Sequence, residues 1–213
     1  MDTRSKEGFT GEIRRIGIMG GTFNPIHNGH LMIAENAREQ FCLEQVQFIP
    51  TGHSPLAHKR QVTDAAHRCK MVSLAISDNP WFVLNEIEVH SSETSYTFRT
   101  VKQLKEQEEN VELYFILGAD SLFDFESWKE PELILENCNV LAAYRKHQRQ
   151  EEFLQQIERL NRKYPRKFYP LDTLSLEVSS QDIRRRVNEH HTIRYLVPKE
   201  VEAYIHKHKL YVT

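Results

Sequence analysis

Apolar runs too short to be helices alternate along this chain with longer stretches of helical periodicity. Residues 15–19, 46–49, 111–117 and 140–144 are short and apolar, as buried strands are. Residues 81–89 alternate apolar and polar side chains, which predicts a further strand, and 167–169 predicts a short one. Between them, 30–41 sets Leu31, Ala34, Ala37 and Phe41 at helical spacing. Residues 64–77 (with Thr63 as N-cap), 95–108, 120–128, 131–137 and 148–163 also read as helices. Two more, 180–188 and 198–206, follow, the second with Pro198 at its start. Strands separated by helices pair in parallel through right-handed crossovers. The expected fold class is α/β: a doubly wound, Rossmann-like, mostly parallel sheet with helices on both faces. In such sheets ligands sit beyond the carboxyl ends of the strands at a topological switch point. The loop after the first strand is therefore the place to look.

The 213 residues suit one domain, with 1–13 as a flexible lead-in and 14–213 as the domain itself. Lys and Arg number 28 against 30 Asp and Glu, a net charge of −2. That balance excludes a strongly basic nucleic-acid binder or an acidic disordered chain as a description of the whole, though not a local basic site. Cys42, Cys69 and Cys138 are odd in number and form no CxxC, so a reducing cytoplasm is expected rather than a disulfide framework or zinc ribbon. The polar N-terminus does not read as a secretory signal, and no apolar run approaches the ~20 residues of a bilayer span. The expectation is a cytoplasmic protein without membrane or nucleic-acid partners. Its oligomeric state, a homo-oligomer included, is left open. The unusual count is 11 histidines.

The loop after the first strand reads Gly20-Gly21-Thr22-Phe23-Asn24-Pro25-Ile26-His27-Asn28-Gly29-His30. Glycines without Cβ let a phosphate or ribose approach the backbone, and the N–H groups opening the next helix favour an anion. His27 and His30 are three apart at that helix start, so both can face one side. Two imidazoles beside backbone N–H groups suit a phosphate whose charge grows in a transition state. The loop is neither a Walker A loop, which needs GxxxxGK[ST], nor a dinucleotide GxGxxG. A plain turn with two surface histidines, or a zinc site, are the other readings. The HxxH spacing is not that of the helical HExxH site, and no third ligand is near in sequence.

GGTFNPIHNGH resembles the GGTFDPIHxGH signature of the bacterial nicotinate-nucleotide adenylyltransferases, within the HxGH nucleotidyltransferase superfamily. That superfamily shares ancestry with the class I aminoacyl-tRNA synthetases, whose anticodon-binding domain would not fit in 213 residues. Phosphopantetheine and eukaryotic-type adenylyltransferases carry Thr where His27 stands, so His27 favours the nicotinate enzyme. Val178-Ser179-Ser180-Gln181-Asp182-Ile183-Arg184 resembles the superfamily's ISSTxIR, with Gln181 where the family has threonine. As a helix start it can be capped by Ser179 or Ser180, and Arg184 can clamp phosphate. Arg185 and Arg186 read as a solvated face. His58-Lys59 resembles the PPHK element, with Leu56-Ala57 in place of its prolines. Thr94-Ser95-Tyr96-Thr97 resembles the SYT element, or is helix capping by Ser95. Leu117-Gly118-Ala119-Asp120 and Trp128-Lys129 resemble GxDxLxxLxxW, in which the acid contacts ribose and the indole stacks on the pyridine ring; a core role for Trp128 is the alternative. Arg145 ends a strand at the ligand edge. The segment from Arg194 to Tyr211 resembles the family's closing helix and reads as structural.

The resemblance implies transfer of AMP from ATP to nicotinate mononucleotide, giving nicotinate adenine dinucleotide and pyrophosphate. His27, His30 and Arg184 would be catalytic. Gly20, Gly21, Thr22, Phe23, Lys59, Ser179 and Ser180 would bind ATP phosphates. Thr97, Gly118, Asp120, Trp128 and Arg145 would hold the acceptor. Mg²⁺ would ride on phosphate oxygens rather than on side chains. A relative using nicotinamide mononucleotide or phosphopantetheine, or a non-catalytic nucleotide sensor, are the alternatives. An RNA-binding role has only Arg184, Arg185 and Arg186 behind it, without the interleaved aromatics of a stacking platform.

Overall fold

The computed structural model describes residues 13–53, 62–108, 110–144, 150–165, 167–173 and 177–212. Six strands form one sheet: β1 (Arg14–Gly21), β2 (Gln45–Pro50), β3 (Phe82–Leu84), β4 (Val111–Gly118), β5 (Cys138–Ala143) and β6 (Phe168–Leu171). Their order is β3-β2-β1-β4-β5-β6, and every pair is parallel. The order reverses between β1 and β4, the two strands whose next neighbours in sequence lie on opposite sides.

Strand alternation explains the layers. In β1, Ile16 and Ile18 face one core, whereas Met19 faces the other. In β5, Val140 and Ala142 face the first, and Leu141 and Ala143 the second. Helices α3 (Thr97–Gln107), α4 (Ala119–Asp124), α5 (Pro131–Asn137) and α6 (Gln150–Lys163) supply the core that holds Ile16. Helices α1 (Asn28–Gln40), α2 (Ala65–Ala75), α7 (Ser180–Asn188) and α8 (Lys199–Lys207) supply the core that holds Met19. The two helices that follow β6 thus return to the face covered by α1 and α2. A Cβ on Gly17 would press on packed side chains, Leu43 at 2.9 Å, Val46 at 3.1 Å and Ile116 at 3.3 Å.

Three expectations need correction. The strand expected over 81–89 is only Phe82–Leu84. Its continuation is ended by Asn85, whose Oδ1 accepts from the Ile87 N–H at 3.0 Å in a side-chain turn, while its Nδ2 donates to Gln47. Thr63 does not cap α2. Asp64 holds the N-cap position without a side-chain cap bond, and the Thr63 carbonyl accepts instead from Arg68. Pro198 is the N-cap residue of α8 rather than its first helical residue. No helix among the described residues is long and apolar enough to cross a membrane.

Candidate active site

The chain leaves β1 at Gly21, and the following loop is tied down on every side. Neither Gly20 nor Gly21 has a positive φ. A Cβ on Gly20 would meet only the Phe115 ring, at 3.5 Å. What glycine provides there is an uncovered backbone at the sheet edge. Phe23 turns the chain with φ 48 and buries its ring beside Phe48 and His30, so only its backbone remains for the contact expected there. Asn24 is buried, and its peptide bond to Pro25 is cis.

His27 is the N-cap residue of α1, and His30 is its third helical residue. The His27 backbone N–H donates to His30 Nδ1 at 3.2 Å. A nitrogen that accepts carries no proton, so the neutral ring of His30 has its hydrogen on Nε2. The two imidazoles stack with centroids 3.7 Å apart and planes 25° from parallel. His27 is buried and His30 half-buried, so the pair is held against the helix start as a unit.

Helix α7 brings the second segment to the first. Ser179 caps it, its side chain accepting from the Asp182 N–H at 3.0 Å. Ser180 instead donates its hydroxyl to the Pro25 carbonyl at 2.8 Å. Arg184 donates from Nη1 to the Asn24 carbonyl at 2.7 Å, across 160 positions of sequence. That bond uses one of the five N–H donors of the guanidinium. Arg185 pairs with Asp182 at 2.5 Å and with Glu189 at 2.8 Å, and Arg186 donates to the Thr192 carbonyl at 2.8 Å. Gln181 is exposed in the first turn of α7.

The residues expected to hold the acceptor lie at the end of β4 and around it. Gly118 is the N-cap of α4 and Asp120 lies exposed in its first turn. Trp128 is half-buried, edge-on to Phe115 at 5.9 Å and tilted on Phe125 at 5.4 Å. Tyr96, the N-cap residue of α3, carries Lys129 over its ring at 4.6 Å, which joins the Thr97 segment to the Trp128 segment. Thr97 opens α3. Ser95 does not cap it; its hydroxyl accepts from the Gly52 N–H at 3.1 Å. A Cβ on Gly52 would stand 2.0 Å from the Glu88 carbonyl oxygen, so this crossing of two backbones admits glycine alone. His58, Lys59 and Arg145 lie outside the described residues. Among the described residues no group of three or more His, Cys, Asp or Glu could hold a metal ion.

Sequence reasoning did not find three polar residues behind the loop, Arg68 buried and Glu88 and Tyr211 half-buried. Arg68 donates to the carbonyls of Thr22, Thr51 and Thr63. Burial pulls its guanidinium below the usual range against nearby negative groups that raise it. Glu88 accepts from the Thr100 hydroxyl at 2.7 Å. Its carboxyl is pushed up by loss of hydration, against hydrogen bonds from Thr100, Ser95 and Gly52 and the charge of Arg68. Tyr211 donates to Asn24 Oδ1 at 3.0 Å. A signal for Arg68 was present: it stands on the same helical face as Met71, Val72 and Ala75, where a charge is out of place.

A glycine loop, an imidazole pair and the Arg184 guanidinium converge where the strand order reverses. By its fold this is an α/β nucleotidyltransferase. Residues 18–186 match the cytidylyltransferase-like family. A protein of Lachnoclostridium phytofermentans named "Probable nicotinate-nucleotide adenylyltransferase" is 42% identical over 200 residues, covering 94% of this chain and 100% of the relative. One of the same name from Thermoanaerobacter sp. is 41% identical over 92% of this chain and 94% of its own length. The solved nicotinic acid mononucleotide adenylyltransferase of Plasmodium falciparum, complexed with NaAD, aligns with a TM-score of 0.76 at 26% identity, over 93% of this chain and 97% of that one. The chain belongs to the cytidylyltransferase-like family and, within it, to the nicotinate-nucleotide adenylyltransferases.

Proposed function

We propose that this chain transfers AMP from ATP to nicotinate mononucleotide, releasing pyrophosphate and forming nicotinate adenine dinucleotide. The observation that carries this reading is the convergence of two segments at the carboxyl edge of β1. Ser180 and Arg184 of α7 hydrogen-bond the Pro25 and Asn24 carbonyls of the histidine loop. The named relatives at 42% and 41% identity support the choice of acceptor.

An oxygen of the acceptor's 5′-phosphate attacks the α-phosphorus of ATP. The new P–O bond forms as the bond to the β-phosphate bridging oxygen breaks, and that oxygen leaves with the electron pair on pyrophosphate. The attacking phosphate is already anionic at neutral pH, so no general base is needed. By analogy with phosphoryl transfer, catalysis is then mainly positioning and charge stabilisation. His27 and His30 donate to the α-phosphate oxygens. The tautomer set by the His27 N–H makes Nε2 the donating nitrogen of His30. Gly20, Gly21, Thr22 and Phe23 offer backbone, while Ser179 caps α7 and Ser180 ties its start to the loop at the Pro25 carbonyl. Arg184 meets the pyrophosphate, with Lys59 as a second cation. Thr97, Gly118, Asp120, Trp128 and Arg145 receive the acceptor. Mg²⁺ enters with ATP, on its phosphate oxygens. Residues 14–213 act as one catalytic domain.

The test is pyrophosphate release from ATP and Mg²⁺ with each acceptor offered separately. Release with nicotinate mononucleotide well above that with nicotinamide mononucleotide or phosphopantetheine is expected. No release with the nicotinate acceptor overturns the reading, and ATP binding without release points to a sensor. In the same assay His30→Ala should lose on the order of 10²-fold in kcat with the fold retained, as removal of a transition-state donor does. Near-normal turnover would remove His30 from the mechanism.

A further inference from the structure

We propose that Arg68 and Tyr211, which belong to none of the phosphate-binding segments, are positioning residues that brace the glycine loop for the transfer. This inference rests on the function proposed above. Arg68 is 3% exposed and meets three backbone carbonyls from three separate segments. Nη1 donates to Thr22, just after β1, at 2.8 Å. Nη2 donates to Thr51, just after β2, at 2.7 Å. Nε donates to Thr63, just before α2, at 2.9 Å. A buried guanidinium is costly unless its donors are met, and these three are met in directions only a planar fork supplies. The side chain therefore fixes the carboxyl ends of β1 and β2 relative to each other.

Tyr211 acts two residues further along the same loop. Its hydroxyl donates to Asn24 Oδ1 at 3.0 Å, and that oxygen also accepts from the Thr63 N–H at 3.3 Å. The Asn24 carbonyl meanwhile accepts from Arg184. Burial pushes the Tyr211 phenol up to about 12, so it remains a donor throughout the neutral range. Thr63 joins the two braces, accepting from Arg68 and donating to Asn24. The backbone from Thr22 to Asn24 is thereby fixed from α2, from α7 and from the segment after α8. His27 and His30 hang from the far end of that backbone. A displacement of about 1 Å at a reacting centre can cost roughly 10²-fold in rate, so loosening the brace should appear in kcat rather than in binding.

The experiment compares wild type, Tyr211→Phe, Arg68→Lys and a control, Tyr204→Phe, in steady-state pyrophosphate release and thermal melting. Tyr204 bonds His67 at 2.9 Å in the packing of α2 on α8, not the loop. Tyr211→Phe should melt within about 4 °C of wild type. Its kcat should fall about tenfold while KM for ATP changes less than about threefold. Arg68→Lys keeps the charge but not the fork and should fall further. Wild-type kcat in Tyr211→Phe overturns the proposal, as does an equal loss in Tyr204→Phe. If Arg68→Lys does not fold, Tyr211→Phe decides alone. If wild type itself releases no pyrophosphate with nicotinate mononucleotide, the proposed function fails while the brace is still decided by amide exchange over residues 20–30. Faster exchange there in Tyr211→Phe supports the brace, and unchanged exchange overturns it.

Discussion

Glu88 carries a cost that the rest of the buried network shares. Its carboxyl sits above the ordinary value of 4.5, chiefly because burial strips its hydration. In the folded state it therefore keeps its proton to a higher pH than in the unfolded chain. Its contribution to stability is full below the unfolded value and is lost as pH rises through the folded one. Glu88→Gln removes the ionisation, so the variant's melting temperature relative to wild type should be more favourable at pH 7 than at pH 4. An offset that does not change with pH would contradict this. At this scale the reading of single residues from sequence was uneven. His27, His30, Ser180 and Arg184 were legible as candidates because each stands in a short local pattern. Arg68 and Tyr211 owe their importance to partners up to 46 and 187 positions away, which no local pattern encodes, and Glu88 to Thr100, 12 positions on. Phe23 stood in the recognised loop, yet its ring belongs to the core.

Among the elements, α7 shows how a local signal acquires a distant purpose. Ser179 was one of two candidate caps, and the structure divides the work: Ser179 satisfies an N–H of its own helix, and Ser180 reaches the Pro25 carbonyl. Ser179→Ala should cost about 1 kcal/mol, the usual worth of such a cap, read as a shift in the urea midpoint at constant m-value. A shift near zero would mean that Ile183 and Val187, both buried, dock the helix without help from its cap. The bounds of α7, from Ser180 to Asn188, were legible because cap and apolar spacing agree. β3 was overestimated because its alternating pattern continues past the point where the backbone turns. Asn85 spends its side chain on a local turn and on Gln47, and at a sheet edge there is no second neighbour to hold the strand extended.

The whole molecule is a single sheet with a core on each face, and each core draws side chains from β1, β4 and β5. Loss of either core would strip one face of the central strands. Thermal unfolding should accordingly be one transition, with near- and far-ultraviolet dichroism coinciding and calorimetric and van't Hoff enthalpies equal. Two separated transitions would contradict the single domain proposed for 14–213. The net charge of −2 looked uninformative at this scale, and it remains a poor guide. The fold sets cationic and imidazole groups together at one edge, while ion pairs such as Arg185 with Asp182 and Glu189 occupy the surface. The chain's own letters determined the alternation of strand and helix, hence the parallel sheet, and they held nearly intact the two segments proposed to bind phosphate. Both are local or periodic properties, which a linear reading can recover. Tertiary structure alone decided that these segments meet at the Asn24 and Pro25 carbonyls, and that Arg68 and Tyr211 fix the loop between them. Those contacts depend on which helices return to which face of the sheet, and that is settled by packing over the whole chain.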